Sequence, residues 1–308
     1  MNKKIISVFS GTGLILTAGI WGFAFVIVKD SLDYVPALYM MAFRFTIAAA
    51  ALAVIYRRKL YKLTTDYWKH GSILGLFLFL AYAFQTVGCN YTTAGKNAFI
   101  TTVYVFLVPL LGWPLKKSRP GWYVFVAAAM SLTGIGLLAL TKADSGFFSI
   151  NRGDFLTIIC GFFFAVHILF NEKYGEFEDP VLLTVLQFVF AAVFSWLLSP
   201  VTDGAFPLTV IKNSHVVISM LYLGIFSTML AFLLQNICLK YMESSLAALF
   251  LSLESVFGML FSVLLMGERM SVQGLFGCVL IFIAIILAET KFSFVHFRRN
   301  SPPGNNMV

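Results

Sequence analysis

Charged residues are scarce in this chain. Only 12% of its 308 residues are Asp, Glu, Lys or Arg, about half the fraction of a soluble domain. A soluble fold needs a polar outer shell, so the shortage excludes one. It does not leave intrinsic disorder either, because disordered segments are poor in apolar residues. The four cysteines, Cys89, Cys160, Cys238 and Cys278, lie inside apolar runs without CxxC spacing, which argues for packing and against a redox or metal role. No HExxH or HxxxH pattern and no Walker A motif occurs, so metal chemistry and ATP drive lack their usual signatures. No cofactor is expected.

What the chain does have is oil. Its hydrophobic fraction is 59%, with 33 phenylalanines and a mean hydropathy of +0.87. This composition belongs to an all-α integral membrane protein. Apolar runs between charge and turn clusters predict ten helices, near 10–28, 37–56, 71–91, 97–115, 121–141, 153–172, 181–199, 216–239, 245–266 and 272–290. Each approximates the ~20 residues that cross a hydrocarbon core. The first run is too long for a signal-peptide core and has no clean cleavage site, so it counts as a helix.

The net charge of +8 reads as a topology signal. With the N-terminus in the cytoplasm, fifteen of the 22 basic residues fall on the inner side and six on the outer, with Arg44 inside a helix. That bias satisfies the positive-inside rule with both termini cytoplasmic. Nucleic acid is not needed as a partner. One loop runs against the pattern, since Glu172, Glu176, Glu178 and Asp179 make the sixth-to-seventh connection acidic. Acidic residues weigh little in this rule. Residues 292–308 read as a disordered, basic cytoplasmic tail.

The chain also resembles itself. Shifting it by 150 residues aligns 80–141 with 230–291 without a gap, bringing Gln85 onto Gln235, Tyr91 onto Tyr241 and Arg119 onto Arg269. Earlier parts match more loosely, with Gly22-Phe23 near Gly161-Phe162 and Pro36 near Pro180. Helices one to five (1–145) then repeat as six to ten (146–291). Five is odd, so the second copy enters the membrane from the opposite side. Such inverted repeats typify transporters, whose midplane site opens to each side in turn.

Several ordered segments carry a family resemblance. They are Trp21-Gly22 through Lys29, Pro36 then Arg44, Gln85-Thr86-Val87-Gly88, Tyr91-Thr92-Thr93-Ala94-Gly95-Lys96, and Ala98-Phe99-Ile100-Thr101 through Val108-Pro109-Leu110. Ser252-Leu253-Glu254-Ser255-Val256-Phe257, Gly267-Glu268-Arg269-Met270-Ser271, Gln273 and Gly277 continue the series. In order and spacing they resemble the drug/metabolite transporter superfamily, specifically its ten-helix EamA-type exporters. The resemblance implies two five-helix halves around a central cavity, exporting small metabolites such as amino acids. Where that family often has proline after the glutamate of the ninth helix, this chain has Ser255, so a helix break does not carry over to that point.

The polar residues inside the apolar runs are the candidate site, since a mid-membrane charge costs about 2.5–3.5 kcal/mol on insertion scales and faces an interior cavity as a rule. Glu254 lies about nine residues, or roughly 13–15 Å, from each end of its helix. Ala247, Gly258 and Ser262 share its face and leave room beside it. It is placed to take and release a proton, or to serve as a fixed partner of Arg44. Arg44 is a counter-ion for a substrate carboxylate, a structural pair, or a snorkelling side chain. Asn97, Thr101 and Tyr104 form one polar stripe, with Tyr104 matching Glu254 under the shift. Gln85 and Gln235 bond substrate from both halves or tie the halves together. His167 is a proton switch or a packing residue. Trp21 stacks on substrate or fills the core. Gly71 and Gly75 form a GxxxG that permits close helix approach and leaves a homodimer open.

Three functions fit in decreasing order: a secondary transporter of small molecules in the cell membrane, driven by protons or by the substrate gradient; an uncoupled facilitator of the same fold; and a membrane-embedded enzyme, which would need paired acids or a metal cluster that the sequence lacks.

Overall fold

The computed structural model describes residues 3–117, 119–139, 151–206, 212–267 and 272–290. The tail after residue 290 and the segment Glu268–Ser271 lie outside the described residues. Among the described residues there are helices and no strand. The helices are α1 (Lys3–Ser31), α2 (Ala37–Ile55), α3 (Thr65–Asn90), α4 (Ala94–Thr101), α5 (Tyr104–Lys116), α6 (Trp122–Ala139), α7 (Arg152–Gly175), α8 (Pro180–Thr202), α9 (Ser214–Leu221), α10 (Ala231–Leu239), α11 (Ser244–Leu251), α12 (Leu253–Met266) and α13 (Val272–Thr290). A π-helical stretch, Tyr222–Leu230, joins α9 to α10.

Among the described residues, eight helical stretches are long and apolar enough to cross a membrane, counting α4–α5, α9–α10 and α11–α12 each as one. Trp122–Leu137 and Val272–Ala288 are shorter apolar helices. All fall where the apolar runs predict helices.

Two of these stretches are broken, and the two breaks share a feature. α4 stops at Thr101 and α5 restarts at Tyr104, while α11 stops at Leu251 and α12 restarts at Leu253. No proline stands at either break. Instead Thr102 Oγ1 donates to the Phe99 carbonyl at 2.7 Å, and Ser252 Oγ donates to the Leu249 carbonyl at 2.6 Å. A hydroxyl that captures a carbonyl one turn back competes with the α-helical ladder. Both turns tighten accordingly, with Thr102 N–H reaching Phe99 O and Ser252 N–H sharing Ala248 O and Leu249 O. The two breaks lie 150 residues apart. The sequence comparison passed over them because threonine and serine are not identical, although they do the same work here.

α1 packs chiefly on α12 and α10, α3 on α7 and α8, α2 on α8, and α6 on α13. Glycine makes one of these contacts possible. A Cβ added at Gly71 would meet Leu186 Cβ at 2.5 Å, and one at Gly75 would meet Phe190 Cβ at 2.5 Å. The GxxxG of α3 is therefore occupied by α8 of the same chain.

Candidate functional site

α1, α2, α3, α4, α5, α7, the π segment, α10 and α12 line one cleft. Eight of the nine residues singled out from the sequence line it: Trp21, Arg44, Gln85, Asn97, Thr101, Tyr104, Gln235 and Glu254. The helix breaks explain part of this. Tyr104 opens α5 and Glu254 stands in the first turn of α12, so both project from interrupted backbone.

Glu254 is 3% exposed and Tyr104 2%. Tyr104 Oη donates to Glu254 Oε1 at 3.0 Å, so the two positions matched by the 150-residue shift touch each other. Arg44, also 2% exposed, is held by neutral groups. Its Nε donates to Thr228 Oγ1 at 2.8 Å and its Nη2 to Ser227 Oγ at 2.9 Å. Its guanidinium lies 4.5 Å from the centre of the Tyr82 ring, within cation–π range. Thr228 Oγ1 in turn donates to Leu223 O, five residues back, in π-helical register. The cavity thus contains a carboxyl and a guanidinium that make no ion pair with each other. An aromatic row separates them. Tyr82 meets Phe164 at 5.4 Å between ring centroids, and Phe164 meets Tyr104 at 6.5 Å.

Trp21 packs in the core and also lines the cleft. Its Nε1 donates to Ser227 O at 2.9 Å, and its ring packs on Phe232 at 4.9 Å while forming part of the wall. Gln85, Asn97 and Thr101 are knitted together. Gln85 Nε2 donates to Thr101 Oγ1 at 3.1 Å, Thr101 Oγ1 to Asn97 O at 2.8 Å, and Asn97 Nδ2 to Gln85 O and Thr157 Oγ1. Gln235 is different. It is 1% exposed, and its Nε2 has no partner.

His167 does not line the cavity. It is fully buried and shares hydrogen bonds with Gln187 Oε1 at 2.8 Å and with the Asn171 amide, edge-on to Phe232. Seven wall residues escaped the sequence reading, Tyr82, Phe164, Phe25 and Ser227 among them. Tyr82 stands three residues before Gln85 on α3, a spacing that could have revealed it. Phe164 and Phe25 are lost among 33 phenylalanines. Ser227 depends on the π segment, which leaves no simple pattern.

Ion pairs tie α7 at both ends. Lys96 Nζ lies 2.6 Å from Asp154 Oδ2 near the start of α7, where Thr92 Oγ1 also donates to Asp154 Oδ1. Lys116 Nζ lies 2.6 Å from Glu172 Oε2 near its end, beside the first residue of α11. Beyond that end, Lys59 pairs with Asp179 at 2.7 Å. Partial burial works against the Asp179 charge. Hydrogen bonds from Lys59 and the Val181 N–H outweigh that and hold its carboxyl below the ordinary value.

A helical membrane protein with a buried polar cleft, lined by one acid and one base, has the makings of a carrier. Comparison with known proteins gives the family. The EamA-like transporter family model matches twice, at residues 9–140 and 151–290, and the chain belongs to that family. It is 33% identical over 286 residues to an uncharacterized transporter of Archaeoglobus fulgidus, covering 92% of this chain and 86% of that one. It is also 26% identical over 282 residues to a probable amino-acid metabolite efflux pump of Salmonella typhimurium, covering 87% and 90%. A solved crystal structure shares the fold with a TM-score of 0.73, covering 93% of this chain and 98% of the other at 19% identity. The protein is a multi-pass membrane transporter and not an enzyme.

Proposed function

We propose that the protein exports small zwitterionic metabolites, of the amino-acid class, across the cell membrane by alternating access. In this reading the ten helical stretches all span, both termini are cytoplasmic, and residues 1–145 and 146–291 form inverted halves around the cleft. The double match of the family model and the 150-residue spacing of both helix breaks support that division.

One observation carries the substrate class. Arg44 and Glu254 share a buried cleft, yet each is satisfied by hydroxyl groups instead of by the other. A buried charge is normally paired, so the natural completion is a solute bearing both charges. Its carboxylate meets Arg44, a basic group at its far end meets Glu254, and its body lies along the row of Tyr82, Phe164 and Tyr104. Glu254 also suits proton exchange. Its partner is a neutral hydroxyl, so no fixed cation locks it in the ionised form. Substrate and proton then compete for one carboxyl, which couples their movements in opposite directions. The Salmonella relative's name agrees with an amino-acid-related cargo. An uncoupled facilitator uses the same residues and is separated only by the energetics of flux.

The test uses the purified protein in proteoliposomes. Counterflow of a panel of L-amino acids is measured with and without an imposed pH gradient, for the wild type and Glu254→Gln. Gradient-stimulated flux that Glu254→Gln loses supports coupling at this residue. Flux indifferent to the gradient, with Glu254→Gln fully active, refutes it.

A further inference from the structure

We infer that Ser227 and Thr228 are positioning residues for Arg44: they hold one edge of its guanidinium so that the other edge, Nη1 with Nη2, stays available to both oxygens of a substrate carboxylate. The inference rests on the zwitterion-export reading.

A guanidinium is a planar fork of N–H donors that matches a carboxylate two bonds at a time. It has two such edges. One is Nε–H with the adjacent Nη2–H, and the other is Nη1–H with the remaining Nη2–H. The donors of the first edge are taken, since Nε donates to Thr228 Oγ1 and Nη2 to Ser227 Oγ. The Tyr82 ring covers the guanidinium from its face. The plane of the fork and its rotation within that plane are therefore both fixed. Nη1 makes no hydrogen bond, yet it is not among the unpartnered polar atoms sealed from open space. Among the described residues no carboxylate stands within ion-pair distance of Arg44.

The anchors are themselves held. Thr228 Oγ1 gives its proton to the Leu223 carbonyl, which leaves its lone pairs for Arg44. That carbonyl is five residues back, within reach because the turn is π-helical, and π turns are frequent at functional sites. The Ser227 carbonyl takes the Trp21 Nε1–H, which ties the segment to α1.

The other copy shows that the scaffold does not need these hydroxyls. α2 packs on the π segment, and in the matching crossing α8 packs on α3. Counted by 150 residues, as for Gln85 and Gln235, the counterparts of Ser227 and Thr228 are Phe77 and Leu78. Counted by 149, as for the starts of α3 and α9, they are Leu78 and Phe79. The Pro36–Pro180 match puts Phe188 opposite Arg44. One copy has the cation and both anchors, and the other has none of the three. The hydroxyls serve the cation, then, and not the helix crossing.

Equilibrium binding of L-lysine and of L-lysine methyl ester to the full-length protein in nanodiscs tests this. Both ligands carry a basic group at the far end, and only the first carries a carboxylate. The wild type should favour L-lysine by about tenfold or more, the effect of a hydrogen-bonded charge. Thr228→Val and Ser227→Ala should each lower L-lysine affinity by about five- to tenfold and that of the ester by less than about twofold. Thr228→Ser, which keeps the hydroxyl, should bind as the wild type does. Thr228→Ala and Ser227→Cys replace a variant that fails to fold. Equal losses for the two ligands, or undiminished L-lysine binding, overturn this inference alone, because a merely structural role would not separate acid from ester. A folded wild type that binds neither ligand, or both alike, overturns the zwitterion reading and the inference with it.

Discussion

Residues 80–141 and 230–291 are two versions of one design, and their differences carry more information than their likeness. Both contain a broken helix, each break made by a hydroxyl reaching three residues back. Both place a polar residue just after the break, but one is the neutral Tyr104 and the other the ionisable Glu254. Both carry a cavity glutamine, tied down in one and free in the other. Both close the following helix with a left-handed residue, Lys117 at φ 52° and Gly267 at φ 67°. The lesson is that the scaffold is duplicated while the chemistry is not. A site that takes up a dipolar solute needs unlike groups on its two sides, and divergence at matched positions supplies them.

The largest expected effect tests that division of labour. Glu254→Gln should reduce gradient-driven transport by about 100-fold, the scale of one essential proton-transfer group, whereas Tyr104→Phe should cost only about tenfold, one hydrogen bond. Equal losses would erase the distinction between the two positions. Arg44 comes next. Its counterpart by the Pro36–Pro180 match is Phe188, so the cation exists on one side only. Arg44→Met should weaken amino-acid binding by about 30- to 100-fold, since a charged hydrogen-bonding pair contributes about 1.5–3 kcal/mol. Esterified amino acids should lose far less, because they offer Arg44 no carboxylate. Isothermal titration of both ligands would expose any discrepancy.

A smaller effect sharpens the comparison at the helix ends. A side chain in the left-handed region carries a penalty of about 1 kcal/mol that glycine avoids. Lys117→Gly should therefore raise the thermal midpoint slightly, and Gly267→Ala should lower it by a similar amount. Opposite signs in calorimetry are the result to look for. The smallest effect concerns Asp179. Its carboxyl is held below the ordinary value, so its charged form favours the folded state. That contribution is complete above pH about 4 and fades as the pH falls through the lowered value. Being partly exposed, the pair with Lys59 contributes less than about 1 kcal/mol. Asp179→Asn should flatten the acid limb of the stability profile and leave the neutral region almost unchanged.

Much of the architecture was legible in the chain because hydrocarbon imposes a strong filter. A polar residue that persists in an apolar run has a reason to be there, and eight of nine such residues line one cleft. His167 shows the limit of that logic. It satisfies the same filter through Gln187 and Asn171, away from the cleft. Aromatic wall residues were hidden for the opposite reason. Phe164 and Tyr82 resemble the many rings that merely fill space, and only their neighbours distinguish them. The absence of proline after Glu254 gave no reason to expect a break, yet Ser252 makes one a turn earlier by capturing the carbonyl of Leu249.

The sequence alone determined that this chain is helical, lives in a bilayer, and repeats itself with an acid inside one of its apolar runs. Those properties follow from local composition and from spacing along the chain. Tertiary structure decided which polar groups are already engaged. Whether Gln85 is tied and Gln235 free, and whether Arg44 meets Glu254 or two hydroxyls, depends on side chains up to 184 residues apart. Hydrogen bonds reach only about 3 Å, so no reading along one strand of sequence could have settled those pairings.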